Sequence, residues 1–187
     1  LVFSFALALQ GRTAQVAAPG VLWATVAFAG TLGLSRSLAR EQHSGCMDGL
    51  LMAPVDRSAI FFGKALGNLI FIGIVELALL PLCTVLFGAS LLRPAVLLVV
   101  ALGTIGYAGA GTLLAAVAVN TRAREVLLPV LLLPLVVPAL IAAVKATAWL
   151  VDGGSLVEVT GWVNLLVVYD LVMLAVSMLT FEYAVSE

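Results

Sequence analysis

Long runs of apolar residues, separated by short polar stretches, make up almost the whole chain. Each run is continuous rather than alternating, which predicts helices, because a spanning segment must satisfy its backbone groups internally. Crossing a bilayer takes about 20 helical residues. The predicted spans cover a partial segment at about 1–10, followed by 18–35, 59–88, 95–119, 125–148 and 162–184.

Composition supports a membrane protein. Charged residues make up 10% of the chain, against about 25% in soluble domains, and the mean hydropathy is +1.21. The segment Leu1–Gln10 is interpreted as the second half of a helix whose beginning is absent. We therefore predict an all-α integral membrane protein, a six-helix bundle with a truncated first helix, forming one domain over residues 1–187.

Basic residues are distributed unevenly between the two sides of the predicted bundle. Six of them flank the linkers after the second and fourth spans, namely Arg36, Arg40, Arg57, Lys64, Arg122 and Arg124. Three lie on the other side, namely Arg12, Arg93 and Lys145. The excess predicts that the linker 36–58, the turn 120–124 and the C-terminus are cytoplasmic. Trp149 and Trp162 bracket an outer loop, as interfacial aromatic residues do. The net charge of −1 does not suggest a nucleic-acid partner.

The linker 36–58 is the longest polar stretch in the chain. Residues 35–42, SRSLAREQ, are predicted to continue the second span as a helix beyond the membrane, and Gly45 is predicted to end it. Asp56 or Ser58 is suited to cap the next helix. Two interpretations stay open from the residues alone: a rigid cytoplasmic element that docks a soluble partner, or a solvated connector.

Residues that commonly carry chemistry are few. Cys46 and Cys83 form no CxxC motif, so neither a zinc site nor a disulfide framework is predicted. His43 is the only histidine, and as a loop residue it is expected to be an ordinary polar side chain. Glu76 and Asp170 lie inside apolar runs, where a charge costs about 2.5–3.5 kcal/mol. Either they line an interior path or couple subunits, or they are protonated or hydrogen-bonded carboxyls that stabilise helix packing.

Glycine and proline also mark the predicted spans. Gly103, Gly106, Gly109 and Gly111, together with the pair Gly63 and Gly67, are expected to allow close helix packing. Three prolines in the fifth span free backbone carbonyls and are expected to bend that helix, either as a hinge or as a static curve. These prolines are Pro129, Pro134 and Pro138.

Residues 39–68, AREQHSGCMDGLLMAPVDRSAIFFGKALGN, resemble the first cytoplasmic loop of the CcmB family, haem-exporter permease subunits of cytochrome c maturation. The similarity continues in order through 75–82 (VELALLPL), 103–140 (GTIGYAGAGTLL and onward) and 169–183 (YDLVMLAVSMLTFEY). It therefore covers nearly the whole chain. The resemblance implies a six-helix permease subunit related to ABC-2 exporters, without catalytic activity of its own. Consistent with that, the sequence has no GxxxxGK[ST] phosphate loop.

The resemblance also implies a setting and partners. These are the bacterial inner membrane, a CcmA-like ATPase subunit that binds the ATP, CcmC-like and CcmD-like membrane subunits, and a CcmE-like haem chaperone. Haem is handled by the complex, and this chain itself is expected to bind no cofactor and no metal. The predicted ATPase-docking residues are Arg40, Glu41, Asp48, Leu50, Pro54, Asp56 and Arg57. A second cytoplasmic contact is predicted at Arg122, Arg124 and Glu125.

The sequence leaves two alternative functions. An ABC-2 permease for another hydrophobic substrate would share the fold and the coupling loop. An intramembrane enzyme would need a clustered nucleophile and base or several acidic metal ligands, whereas only the isolated Glu76 and Asp170 are available.

Overall fold

The computed structural model describes the placement of residues 12–43, 57–118 and 124–184, and the side chains of 14–35, 62–114, 128–177 and 179. Five helices cover these ranges: α1 (Arg12–His43), α2 (Arg57–Phe87), α3 (Pro94–Ala118), α4 (Arg124–Val151) and α5 (Thr160–Ala184). Within the described residues, each of the five contains a segment long and apolar enough to cross a membrane. The all-helical membrane fold is confirmed, and the predicted partial span 1–10 lies outside the described residues.

The helix bounds follow the predicted spans closely, with one larger difference. α1 begins at Arg12 and its apolar segment at Ala14, whereas the second span was predicted to begin at residue 18. Pro19 lies inside this helix, as proline can in a membrane span. At its other end α1 runs to His43, which confirms the predicted extension through SRSLAREQ. α4 likewise continues without interruption through its three prolines.

Helix α3 is the centre of the bundle. It packs most extensively against α4 and α5, and also against α2 and α1. The outer four close a ring around it, because α1 contacts α2, α2 contacts α5, α5 contacts α4, and α4 contacts α1. In the most apolar 18-residue stretch of α3, 72% is buried inside the protein. In the corresponding stretches of the other four helices, 22–44% is buried. The low polarity of α3 therefore serves protein packing more than contact with lipid.

Two short connections lie at one end of the bundle, which we call the loop end: residues 88–93 and 152–159. Gln15 Nε2 donates to Gly88 O at 3.0 Å, which ties the first turns of α1 to the connection after α2. Arg93 Nη1 donates to Leu150 O at 3.0 Å, which ties the connection before α3 to the last turn of α4. Gly88 has a φ of 62°, a left-handed conformation that favours glycine at the end of α2. The opposite end of the bundle consequently holds the ends of α1 and α3, at His43 and Ala118, and the starts of α2 and α4, at Arg57 and Arg124.

Candidate functional site

Polar side chains inside the apolar helices converge on α3. Thr104, Tyr107 and Thr112 of α3 are at most 3% exposed, and each is hydrogen-bonded to a residue of α1 or α2. Such bonds between membrane helices contribute about 0.6 kcal/mol each, and at most about 1.7. The interior of the bundle therefore holds a polar network along one central helix.

The buried threonines of this network share a bonding pattern. Thr112 Oγ1 donates to Ala108 O of its own helix at 2.7 Å and accepts a bond from Asn68 Nδ2 at 2.9 Å. Thr31 Oγ1 donates to Ala27 O in the same way and lies 2.6 Å from the hydroxyl of Tyr107. Each hydroxyl thus bonds the carbonyl four residues back and keeps its oxygen for a neighbouring helix.

Glu76 of α2 meets this pattern at Thr104. Thr104 Oγ1 lies 2.5 Å from Glu76 Oε1 and 2.7 Å from Val100 O. A hydroxyl has one hydrogen, which cannot serve both acceptors. Both contacts are satisfied when Thr104 donates to Val100 O and accepts a hydrogen from a protonated Glu76 carboxyl. The geometry therefore favours, for Glu76, the predicted hydrogen-bonded role in helix packing.

Replacing Glu76 tests that assignment. Glu76→Gln is expected to keep the melting temperature of the purified protein within about 2 °C, because the amide N–H replaces the carboxyl hydrogen. Glu76→Leu loses this bond and should cost about 0.6–1.7 kcal/mol. Thermal unfolding in detergent measures both effects. Equal loss of stability in Glu76→Gln and Glu76→Leu would contradict the hydrogen-bonded assignment.

Asp170 of α5 contacts α3 at a different residue from Glu76. Its side chain is 6% exposed and packs at Gly106, where an added Cβ would overlap Asp170 Oδ1 and lie 2.9 Å from Tyr169 Cδ1. Thr104 and Gly106 are two residues apart, so they face directions about 200° apart at depths that differ by about 3 Å. Glu76 and Asp170 therefore contact α3 at nearly the same depth but at different residues, from the neighbouring helices α2 and α5.

Asp170 differs from Glu76 in its bonding. Neither of its carboxyl oxygens has a hydrogen-bond partner among the described residues, and the same holds for the buried hydroxyl of Ser177, about two turns further along α5. Buried polar groups are nearly always paired, and exceptions call for an explanation. The structure therefore does not support the interpretation of Asp170 as a hydrogen-bonded carboxyl that stabilises helix packing.

Glycines decide where the helices approach α3 most closely. An added Cβ would overlap Trp23 at Gly103, Asp170 at Gly106 and Leu34 at Gly111, which confirms the predicted close packing at these three positions. At Gly63, Gly67 and Gly109 an added Cβ would meet no described atom within 4 Å, so the expectation was wrong there for the described part of the chain. Composition marks small residues but cannot tell which of them face another helix.

The turn 152–159 at the loop end is held by Glu158. Gly154 N donates to Trp149 O and Gly153 N to Leu150 O, with Gly153 at φ 97°, which is a Schellman ending of α4. Glu158 Oε2 accepts from Ser155 N at 2.8 Å, from Trp149 Nε1 at 3.0 Å and from Ser155 Oγ at 3.0 Å. The Ser155 backbone bond first, and then the two side-chain bonds, lower the pKa of Glu158.

Acidification is expected to loosen this turn. Because the folded pKa of Glu158 is lowered, its contribution is present above the unfolded pKa and is lost as the pH falls through the folded pKa, which lies below the ordinary value of a glutamate. Tryptophan fluorescence of the wild type should shift in that range as Trp149 loses its acceptor, and Glu158→Gln should remove the shift. If Glu158→Gln shows the same fluorescence shift on acidification as the wild type, the shift arises from a group other than Glu158.

Most of the predicted docking residues lie outside the described side chains. Arg40 and Glu41 belong to the described end of α1, Arg57 to the start of α2, and Arg124 and Glu125 to the start of α4, but their side chains are not described. The others, Asp48, Leu50, Pro54, Asp56 and Arg122, lie outside the described residues altogether. The docking assignments stay predictions.

The polar network around α3 was not predicted from the sequence. Thr31, Asn68, Thr104 and Tyr107 each interrupt an apolar run, and this interruption was the available signal. Polar residues within membrane spans usually face other helices. Among the described residues, no three His, Cys, Asp or Glu side chains lie close enough to hold a metal ion.

Comparison with known proteins identifies the family. The family model described as CcmB protein matches residues 1–187. The chain is 36% identical over 140 residues to the heme exporter protein B of Rhodobacter capsulatus, which covers 73% of this chain and 63% of that protein. It is 32% identical over 147 residues to the heme exporter protein B of Paracoccus denitrificans, covering 76% and 66%.

These matches span somewhat less than two thirds of each relative's length. No solved structure matches the chain significantly. Five apolar helices, a small-residue central helix and a family match over every residue agree with one another, and this multi-pass membrane protein belongs to the CcmB family.

Proposed function

We propose that the protein is the permease subunit of an ABC-type haem exporter in cytochrome c maturation. The observation that carries the proposal is the family match over the whole chain, together with relatives named heme exporter protein B. In this proposal the chain is not an enzyme: it lies in the bacterial inner membrane with its C-terminus in the cytoplasm, and a CcmA-like subunit binds and hydrolyses ATP.

The fold offers a route for mechanical coupling. The proposed docking loop, 36–58, joins α1 to α2, and these helices pack against each other and against α3. The Tyr107 hydroxyl of α3 lies 2.6 Å from both Thr31 Oγ1 and Ala27 O of α1, and Asn68 of α2 donates to Thr112 of α3. Force applied at the loop would therefore reach the central helix through paired polar groups, since a packed interior transmits displacement.

The remaining partners follow from the same proposal. CcmC-like and CcmD-like membrane subunits would pack beside the bundle, and a CcmE-like chaperone would receive haem on the periplasmic side. Haem is the cargo of the complex in this proposal. The coupling would reshape the loop end of the bundle, where residues 88–93 and 152–159 connect the helices.

Charge reversal in the docking loop tests the coupling. If Glu41 and Asp48 face basic residues of the ATPase subunit, the double variant Glu41→Lys/Asp48→Lys places like charges at the contact. Co-purification of the ATPase should fall at least tenfold, and cytochrome c yield should fall with it. Either single reversal should be milder, because charges at an interface rim mainly set register and partner choice.

A matched control reverses an acid at the other end of the bundle. Asp152→Lys lies in the exposed turn after α4 and should leave co-purification of the ATPase unchanged. An intact complex with full cytochrome c yield in the double variant would show that Glu41 and Asp48 only solvate the loop. The contact would then be sought at Arg122 and Arg124.

A further inference from the structure

An open groove of about 310 Å³ lies between α1 and α4 on the outside of the bundle. Its lining is almost entirely apolar and consists of Gly20, Trp23, Ala24, Leu140, Ile141, Val144 and Lys145. Lys145 is the only charged residue in this lining. The indole N–H of Trp23 is already bonded to Thr147 Oγ1 at 3.1 Å, so the base of the groove presents no unpaired donor.

The groove has a polar and an apolar end. Lys145 lies six residues, or about 9 Å, before the end of α4 at Val151, within reach of the lipid headgroups for a flexible lysine. Gly20 is six residues inside the apolar segment of α1, which also begins at the loop end. Ala24 and Leu140 lie further towards the middle of the membrane. The charge therefore stands at the mouth of the groove, and the depth is apolar.

We propose that this groove binds an anionic phospholipid, with one acyl chain along Ala24 and Leu140 and the phosphate at Lys145. Both helices span the membrane, so acyl chains are the surrounding solvent of the groove. An acyl chain gains no hydrophobic free energy on moving from the bilayer into an apolar groove. Selectivity must therefore come from the headgroup, and a cation at headgroup depth favours a negatively charged lipid.

A larger side chain at Gly20 can fill the groove without disturbing the packing between the helices. An added Cβ at Gly20 meets nothing within 4 Å, so a larger side chain there enters the groove rather than the protein. Leucine also has a higher helix propensity than glycine. Gly73 of α2 offers a matched control, because its added Cβ also meets nothing within 4 Å and it does not line the groove.

The experiment is native mass spectrometry of the intact purified protein after exchange into equal amounts of phosphatidylglycerol and phosphatidylcholine. The wild type should retain phosphatidylglycerol about fivefold over phosphatidylcholine, the preference expected of one lysine near anionic headgroups. Lys145→Gln should retain the two equally, and Lys145→Arg should keep the preference. Gly20→Leu should lose the retained lipid, whereas Gly73→Leu should behave as the wild type.

Three results would overturn the proposal. One is equal retention of both lipids by the wild type. Another is as much retained lipid in Gly20→Leu as in Gly73→Leu. The third is retention of added haemin in place of lipid with the same dependence on Gly20 and Lys145, which would assign the groove to a tetrapyrrole carboxylate. None of these depends on the proposed ATPase coupling, which is measured by co-purification.

Discussion

Gly103→Ala is expected to destabilise the bundle by about 1–3 kcal/mol, the usual cost of inserting a group into a packed interior. A Cβ at this position would overlap the six-membered ring of Trp23, which is 1% exposed. The indole cannot move aside freely, because its N–H is bonded to Thr147 of α4. One methyl group therefore disturbs the packing of α1, α3 and α4 together. Thermal or denaturant unfolding in detergent measures the loss.

Two further variants separate this clash from a general effect on α3. Gly109→Ala adds the same methyl where nothing lies within 4 Å, and should be neutral or stabilise by up to about 1 kcal/mol through helix propensity. Trp23→Phe removes the ring atoms nearest to Gly103, so Gly103→Ala should cost much less in that background. If Gly103→Ala lowered the stability equally in the wild type and in Trp23→Phe, the overlap with Trp23 would not be the cause of the loss.

Asp170→Leu is expected to stabilise the fold by about 1–3 kcal/mol and to reduce cytochrome c yield at least tenfold. Neither carboxyl oxygen is paired among the described residues, so the substitution removes an uncompensated buried polar group. Leucine has the same number of side-chain heavy atoms and fits a site of similar size. An unpaired acid kept in a span at a cost to stability indicates a role in function.

Asp170→Asn provides the comparison. It keeps the planar shape and removes the charge, and it should show no gain in stability, since the amide would also be unpaired. If the charge is used in transport or coupling, Asn and Leu should lower cytochrome c yield equally. If Asp170→Asn folds and gives the full cytochrome c yield, while Asp170→Leu unfolds, then Asp170 has a role in packing.

The spans could be predicted from sequence because hydrophobicity acts locally: each apolar run must cross the membrane as a helix whatever surrounds it. The observed bounds of α2 and α3 lie within two residues of those predicted. The start of α1 differs more, because the helix begins at Arg12 and includes Pro19, whose missing N–H is tolerated within a membrane span.

The arrangement around α3 could not be predicted in the same way. Whether Gly103 or Gly109 receives another helix depends on rotation about the α3 axis, which composition does not determine. Glu76 and Asp170 look alike in the sequence, as acids within apolar runs. Only the packing gives Glu76 a threonine at Thr104 and leaves Asp170 beside a glycine.

The order of synthesis gives the central position of α3 a consequence for biogenesis. Tyr107 bonds Ala27, Thr112 bonds Asn68 and Thr104 meets Glu76, so every one of these partners is translated before α3 itself. A nascent chain ending after Ala118 thus already contains both partners of every one of these contacts, whereas α4 and α5, against which α3 packs most extensively, are still to be added.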